Sequence, residues 1–444
     1  MSSDELTNYE QMCSGFSKLP RSERLSRLKK LGLLTTRDVE FLELGESLPK
    51  ALSEHFIENT IGCFSLPLGV AMNFRIDGRD YAVPMAVEET SIIAAASKTA
   101  KWIRSCGEIS TEVVGKEIIG QIQIAKPKNV EGSLAQIEQQ RERWLKLLNE
   151  KNASLVMRGG GFTRIESRTL DRNDGAKMLV IHVYCDPCDA MGANIMNQAC
   201  ESLKKHVEQA TSEKVTMCIL SNLVDSKVTR AKVVLRDLEE SLVDGIVEAG
   251  LFAEVDPYRA ATHNKGIMNG IDAVLIATGN DWRAVSAGLH SYAARSGQYR
   301  ALTKWRKEGE SLIGEFEGPL VVGTVGGMTA LHPTAQLVIR MLGVESAEQL
   351  SRICAAVGLV QNLGALRALS TVGVVEGHMK LHAANLAVAA GASEAEMPLI
   401  QRVLEEILVK EKRVSLTQAK DALKNLRSEA VGFRKVMVPS EGPA

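Results

Sequence analysis

The chain has 444 residues, 45% hydrophobic and 24% charged, which suits a globular protein with room for two or three domains. A formal net charge of -1 argues against a nucleic-acid surface or an acidic tail. The lack of any run of about 18 apolar residues argues against a membrane span. Eight cysteines scattered over so long a chain suit reduced thiols better than a disulfide framework.

The start of the chain has no basic stretch followed by an apolar one, so no secretory signal is expected and a cytoplasmic location is. Residues 1–60 read as amphipathic helices, with Leu25, Leu28, Leu31 and Leu34 at helical spacing. A hairpin is predicted around Asp77-Gly78, and a helix from Ser91 after the paired carboxylates Glu88 and Glu89. Between 116 and 218, strands alternate with two helices, one over 132–152 and one from Asp189 to about 210, which reads as a small inserted α+β domain. Residues 227–375 mix helices with Gly-rich strand ends, and the chain after His378 is helical.

Several stretches can carry chemistry. Asp189 is read as the N-cap of a helix whose small first-turn residues, Ala190 to Asn194, would let a phosphate approach backbone amides. An ordinary capped helix fits these residues equally well. No GxGxxG follows a strand, so a Rossmann-type site is not indicated. Gly323-Thr324-Val325-Gly326-Gly327 is read as a strand end with space beside it for a ligand. Arg259 to Gly266 is read as a polar loop whose cations suit a carboxylate or oxyanion.

Asp281 follows the apolar run Ala273–Ala277, read as a buried strand, and can serve a proton relay or cap the next helix. His378 and His382 share a helix face, but the glutamate of a zinc-protease motif is absent and no metal is expected. A single histidine acting as proton donor stays open. Cys185-Asp186-Pro187-Cys188 has no second CxxC to complete a zinc site, and is read as structural.

In combination these stretches resemble the hydroxymethylglutaryl-coenzyme A (HMG-CoA) reductases of the soluble, class II type. The likeness is carried, in family order, by 58–62, 87–91, Asp189 to Asn194, Arg259 to Gly270, Gly279 to Trp282, Gly323 to Gly327, and Gly377-His378-Met379. The resemblance implies an α+β fold: a large discontinuous α/β domain (1–115 and 219–375) for substrate binding and dimerisation. A small cofactor-binding α+β domain (116–218) is inserted in it, and a C-terminal helical flap (376–444) follows.

It also implies catalytic roles for Glu89, Lys265, Asp281 and His378, and substrate contacts from Ser91, Asn222, Arg259, Asn269 and Gln361. Cofactor contacts fall on Asp189, Met191, Gly192, Ala193 and Asn194, with Gly326 and Gly327 nearby. The implied reaction reduces HMG-CoA to mevalonate and CoA with two NAD(P)H, in a homodimer or higher homo-oligomer. Lysine would steady the oxyanion, a cationic histidine would protonate the CoA thiolate, and a glutamic acid tuned by the aspartate would protonate the product alcohol.

Asn152 stands where NADH-specific members carry an aspartate on the adenosine ribose, and an amide beside Lys151 would tolerate a 2′-phosphate. NADPH is therefore expected, with NADH as the alternative. Catabolic mevalonate oxidation with NAD and CoA, and an inactive acyl-CoA-binding homologue, are the competing readings.

Overall fold

The computed structural model describes residues 9–45, 48–371, 383–411 and 413–436. They fall into two units, Met1–Glu88 with Ile92–Leu366, and Glu89–Ser91 with Arg367–Ala444.

The first unit holds two sheets. Its strands are β1 (Leu68–Ile76), β2 (Arg79–Ala86), β3 (Gly107–Val114), β4 (Ile118–Ile124), β5 (Gly161–Asp171), β6 (Lys177–Asp186), β7 (Met217–Ser221), β8 (Val228–Leu235), β9 (Thr303–Glu308) and β10 (Ser311–Pro319). The six-stranded sheet runs β2-β1-β3-β8-β10-β9 and the four-stranded sheet β5-β6-β4-β7. The β1–β2 turn is the expected one: Asp77 and Gly78 take φ of 51° and 78°, the positive values that a right-twisted two-residue hairpin demands. On the six-stranded sheet, Arg230 stands opposite Glu112 on one side and Glu317 on the other, so opposite charges face each other across three strands.

The six-stranded sheet packs on the helices Ile92–Cys106, Pro257–Ala277 and Ala347–Leu369. From Ile353 to Leu363 the last of these is buried all round, which marks a central helix rather than an amphipathic one. It crosses Pro257–Ala277 at two glycines. A Cβ on Gly270 would lie 3.1 Å from Gln361 Cβ, and one on Gly358 would lie 2.8 Å from Ile271 Cδ1. Larger residues would force the two helices apart.

The four-stranded sheet has its own core, with the helices Val130–Lys151 and Ala193–Thr211 on one face. Gly120 admits Cys200 and Met196, whose sulfurs would each lie 2.4 Å from an added Cβ. At the N-terminus the expected leucines are used, but not on one continuous helix. The helix Arg21–Lys30 stops at Leu31 because Gly32 turns left-handed at φ 73°. A Thr35–Asp38 capping box then starts Thr36–Leu44. Leu25, Leu28 and Leu34 are buried with Met72, Leu337 and Met341.

The structure departs from the sequence reading at two places. Arg259 to Gly266 is not a loop. It lies in the helix Pro257–Ala277, which starts with proline at its first turn and Asp256 capping the Arg259 amide at 3.0 Å. Ala273–Ala277 is the end of the same helix and not a strand. A short apolar run is compatible with either, and here tertiary burial on all sides supplies the apolar demand.

The second unit contains the helices Met397–Glu411 and Leu416–Val436 over a small core that includes Ile400, Leu404, Ala419 and Leu423. A Ser415–Gln418 capping box opens the last helix, and Arg427 binds Glu396 at 2.8 Å. His378 and His382 lie outside the described residues.

Candidate active site

The helix Pro257–Ala277 carries most of the polar residues expected around the acyl group. Lys265 and Asn269 are one turn apart on one face, and Asp272 continues that face. Lys265 is exposed and Asn269 half-buried. Arg259 is half-buried near the start of the helix, where burial lowers its pKa with no carboxylate partner among the described residues. A desolvated guanidinium without a counter-ion is a ready anion site. Gln361 packs against this helix at Gly270, and its Oε1 is buried without a partner among the described residues.

Asp281 caps the next helix, Trp282–Ala293, by accepting from the Ala284 amide at 3.1 Å, and it lies 3.6 Å from Arg283. The preceding turn is held by Asn280, whose Oδ1 accepts from the Gly323 amide at 2.8 Å and whose amide donates to the Gly323 carbonyl at 3.1 Å. Gly279 lies against the short helix Gly327–Leu331, which Gly326 opens at φ 77°. The fold thus brings Asp281 and the Gly323–Gly327 stretch together. That stretch does not follow a strand directly: β10 ends at Pro319, and Leu320 to Val322 have no regular structure.

The expected cofactor residues also converge. Asp189 is not the cap of its own helix, which begins at Ala193. The N-cap is Gly192, at φ 88°, without a side-chain cap. Asp189 instead reaches across the fold and accepts from the Ala347 amide at 2.9 Å, while its carbonyl accepts from Thr324 at 2.9 Å. The two readings differ because a short acidic side chain caps whichever helix start it meets in space, and sequence spacing shows only the nearer one.

An uncapped helix start with only glycine before it fits a phosphate group. Beside it, Met191, Ala193 and Asn222 line a small recess with Ile118, Ala284 and Pro319. Asn152 ends the helix Val130–Lys151 and donates to the Leu148 carbonyl at 2.8 Å. Cys188, at φ 54°, rests its sulfur 3.7 Å from the Arg158 carbonyl and under Gly160, where a Cβ would lie 2.6 Å away. Burial pushes the Cys185 thiol up to about 12.

Glu89 and Ser91 belong to the second unit, and Ser91 holds a left-handed φ of 74°. Strain at a polar residue of this kind is a common mark of functional sites.

Two residues of the helix Pro257–Ala277 were not anticipated. His263 is 2% exposed. Asp272 has a buried Oδ1 without a partner among the described residues, faces the buried Cys354, and is raised to about 7 by burial. Its i+7 spacing from Lys265 was the available signal. The folded state keeps a proton that an unfolded carboxyl, ordinarily near about 4, would release. This contribution to stability therefore declines as pH rises from about 4 to about 7. Asp272→Asn should gain on the wild type in melting temperature between pH 5 and 8, and a constant or shrinking difference would refute it.

Comparison with known proteins places the chain. A family model described as hydroxymethylglutaryl-coenzyme A reductase matches residues 20–383. A 3-hydroxy-3-methylglutaryl-coenzyme A reductase from Archaeoglobus fulgidus is 45% identical over 418 residues, covering 93% of this chain and 94% of the relative. A solved Streptococcus pneumoniae 3-hydroxy-3-methylglutaryl-coenzyme A reductase superimposes with a TM-score of 0.79 at 38% identity, over 93% of this chain and 99% of its own. A second solved structure, the class II enzyme from the same organism bound to NADPH in open conformations, gives a TM-score of 0.78 at 37% identity, over 81% and 99%. The chain belongs to the hydroxymethylglutaryl-coenzyme A reductase family.

Proposed function

We propose that this chain reduces HMG-CoA to mevalonate and CoA, consuming two NADPH and two protons. The observation that carries the reading is the half-buried, uncompensated Arg259 on the helix that also bears Lys265, in a chain of this family. The substrate's free carboxylate suits the Arg259 fork, with Ser91, Asn269 and Gln361 as further contacts and Asn222 at the thioester.

Bound NADPH supplies the hydrides. Lys265 stabilises the oxygen that becomes negative as the thioester carbonyl is reduced. Asp281 keeps that lysine charged and tunes Glu89, which protonates the alcohol oxygen. His378 protonates the departing CoA thiolate.

The helix start after Gly192, with Asp189, Met191, Ala193 and Asn194, and the glycines Gly326 and Gly327, form the cofactor side. Asn152 presents an amide where a carboxylate would repel a 2′-phosphate. On this reading residues 116–218 are the cofactor domain, 1–115 with 219–375 the substrate and dimerisation domain, and 376–444 the flap. The separate cores of the two sheets support the first division.

The protein is expected to work as a homodimer or higher homo-oligomer, in the cytoplasm. No helix among the described residues is long and apolar enough to cross a membrane. Following NADPH and NADH absorbance with HMG-CoA present tests the reading. Oxidation with NADPH preferred is expected; oxidation of neither overturns the activity, and a strong preference for NADH overturns the role of Asn152.

A further inference from the structure

Behind Arg259 lies a closed polar network. His263 Nε2 is 2.6 Å from Thr303 Oγ1 and 3.2 Å from Asn362 Nδ2. Asn362 Oδ1 accepts from the Trp305 indole at 2.9 Å and lies 3.0 Å from Thr303 Oγ1. All but Trp305 are polar or ionisable groups, and His263, Thr303 and Asn362 are each at most 2% exposed. Such burial is costly unless the partners are satisfied.

The indole is a donor only, so it fixes which end of the Asn362 amide is oxygen. The NH2 then lies 3.2 Å from His263 Nε2, and the one Thr303 proton goes either to Asn362 Oδ1 or to Nε2, so both ring tautomers fit the network. Burial, with Arg259 beside it, pushes the ring down to about 3, so His263 is neutral at any working pH. Its Nδ1 has no partner among the described residues.

The geometry joins three elements. His263 is one turn from Arg259, Asn362 adjoins Gln361, and Thr303 and Trp305 lie on β9. Asn264 fastens the same strand's approach, donating to the Arg300 carbonyl at 2.8 Å and accepting from the Leu302 amide at 2.9 Å. We infer that His263 is a positioning residue for the acyl end of the substrate: its Nε2, held between Thr303 and the Asn362 amide, sets the register in which Arg259 and Gln361 are presented together. This rests on the proposed HMG-CoA reading.

Two substitutions separate this role from mere packing. Gln can put either its amide oxygen or its NH2 where Nε2 sits, whereas Asn reaches only the Nδ1 position. His263→Asn should raise KM for HMG-CoA about tenfold, the value of roughly one buried hydrogen bond, leaving KM for NADPH and the pH profile unchanged. His263→Gln should stay within about threefold of wild type. Thr303→Val, close to isosteric, should raise KM for HMG-CoA in the same direction and keeps the test open if a His263 variant does not fold.

Equal KM values for the Asn and Gln variants, parallel changes in both substrates, or an unchanged KM in Thr303→Val would overturn the inference. A wild type that fails to turn over HMG-CoA overturns it together with the proposed function, while turnover with no KM effect overturns the inference alone.

Discussion

Replacing Lys265 with Met is expected to lower kcat for HMG-CoA reduction by about 10²- to 10³-fold, the usual loss for one donor aimed at a developing oxyanion. The side chain is exposed on its helix face, so the substitution should cost little stability. KM for NADPH should not move, because the role proposed for Lys265 is at the acyl oxygen and not at the dinucleotide. Initial rates at saturating substrates decide the matter, with a melting curve to confirm folding. A variant that keeps more than roughly a tenth of wild-type kcat contradicts the assignment, because oxyanion donors are worth more than that. The same experiment removes the inactive-homologue reading if the wild type is active and the variant is not.

Arg259→Met is expected to act through binding. Losing one partner of a desolvated charge pair costs about 2–5 kcal/mol, roughly 30-fold or more in kcat/KM. Arg259 is only half-buried, which favours the lower end. Most of the loss should appear in KM for HMG-CoA. Arg259→Lys should recover only part of it, since an ammonium cannot offer the two parallel N–H groups of the guanidinium. Full activity in the Met variant would show that the carboxylate is held elsewhere.

What could be read in the sequence was what local physics decides. The helix Val130–Lys151 was placed within two residues because it is long, charged and bounded by Asn129, which caps Gly132. The Asp77-Gly78 hairpin was equally legible, since the turn needs positive φ at both residues. The errors came where tertiary contacts decide. Arg259 to Gly266 looks like a loop because its polar residues interrupt an apolar pattern, yet Pro257 and Asp256 start a helix there. Asp189 spends its carboxylate on an amide 158 positions away. The pairing of His263 with Asn362 and Thr303 has no periodicity that a one-dimensional pattern could show.

The hydrogen bond from Ala347 to Asp189 has a consequence for how the two ligands communicate. One carboxylate belongs to the segment proposed to hold the dinucleotide and also caps the helix that carries Gln361. Whatever draws Asp189 toward a dinucleotide alters the cap of that helix, and whatever shifts the helix alters Asp189. Thermodynamic reciprocity then requires any change in acyl-thioester affinity caused by the dinucleotide to be matched by an equal change in the other direction. Binding order in such a site is a property of the joint and not of either ligand.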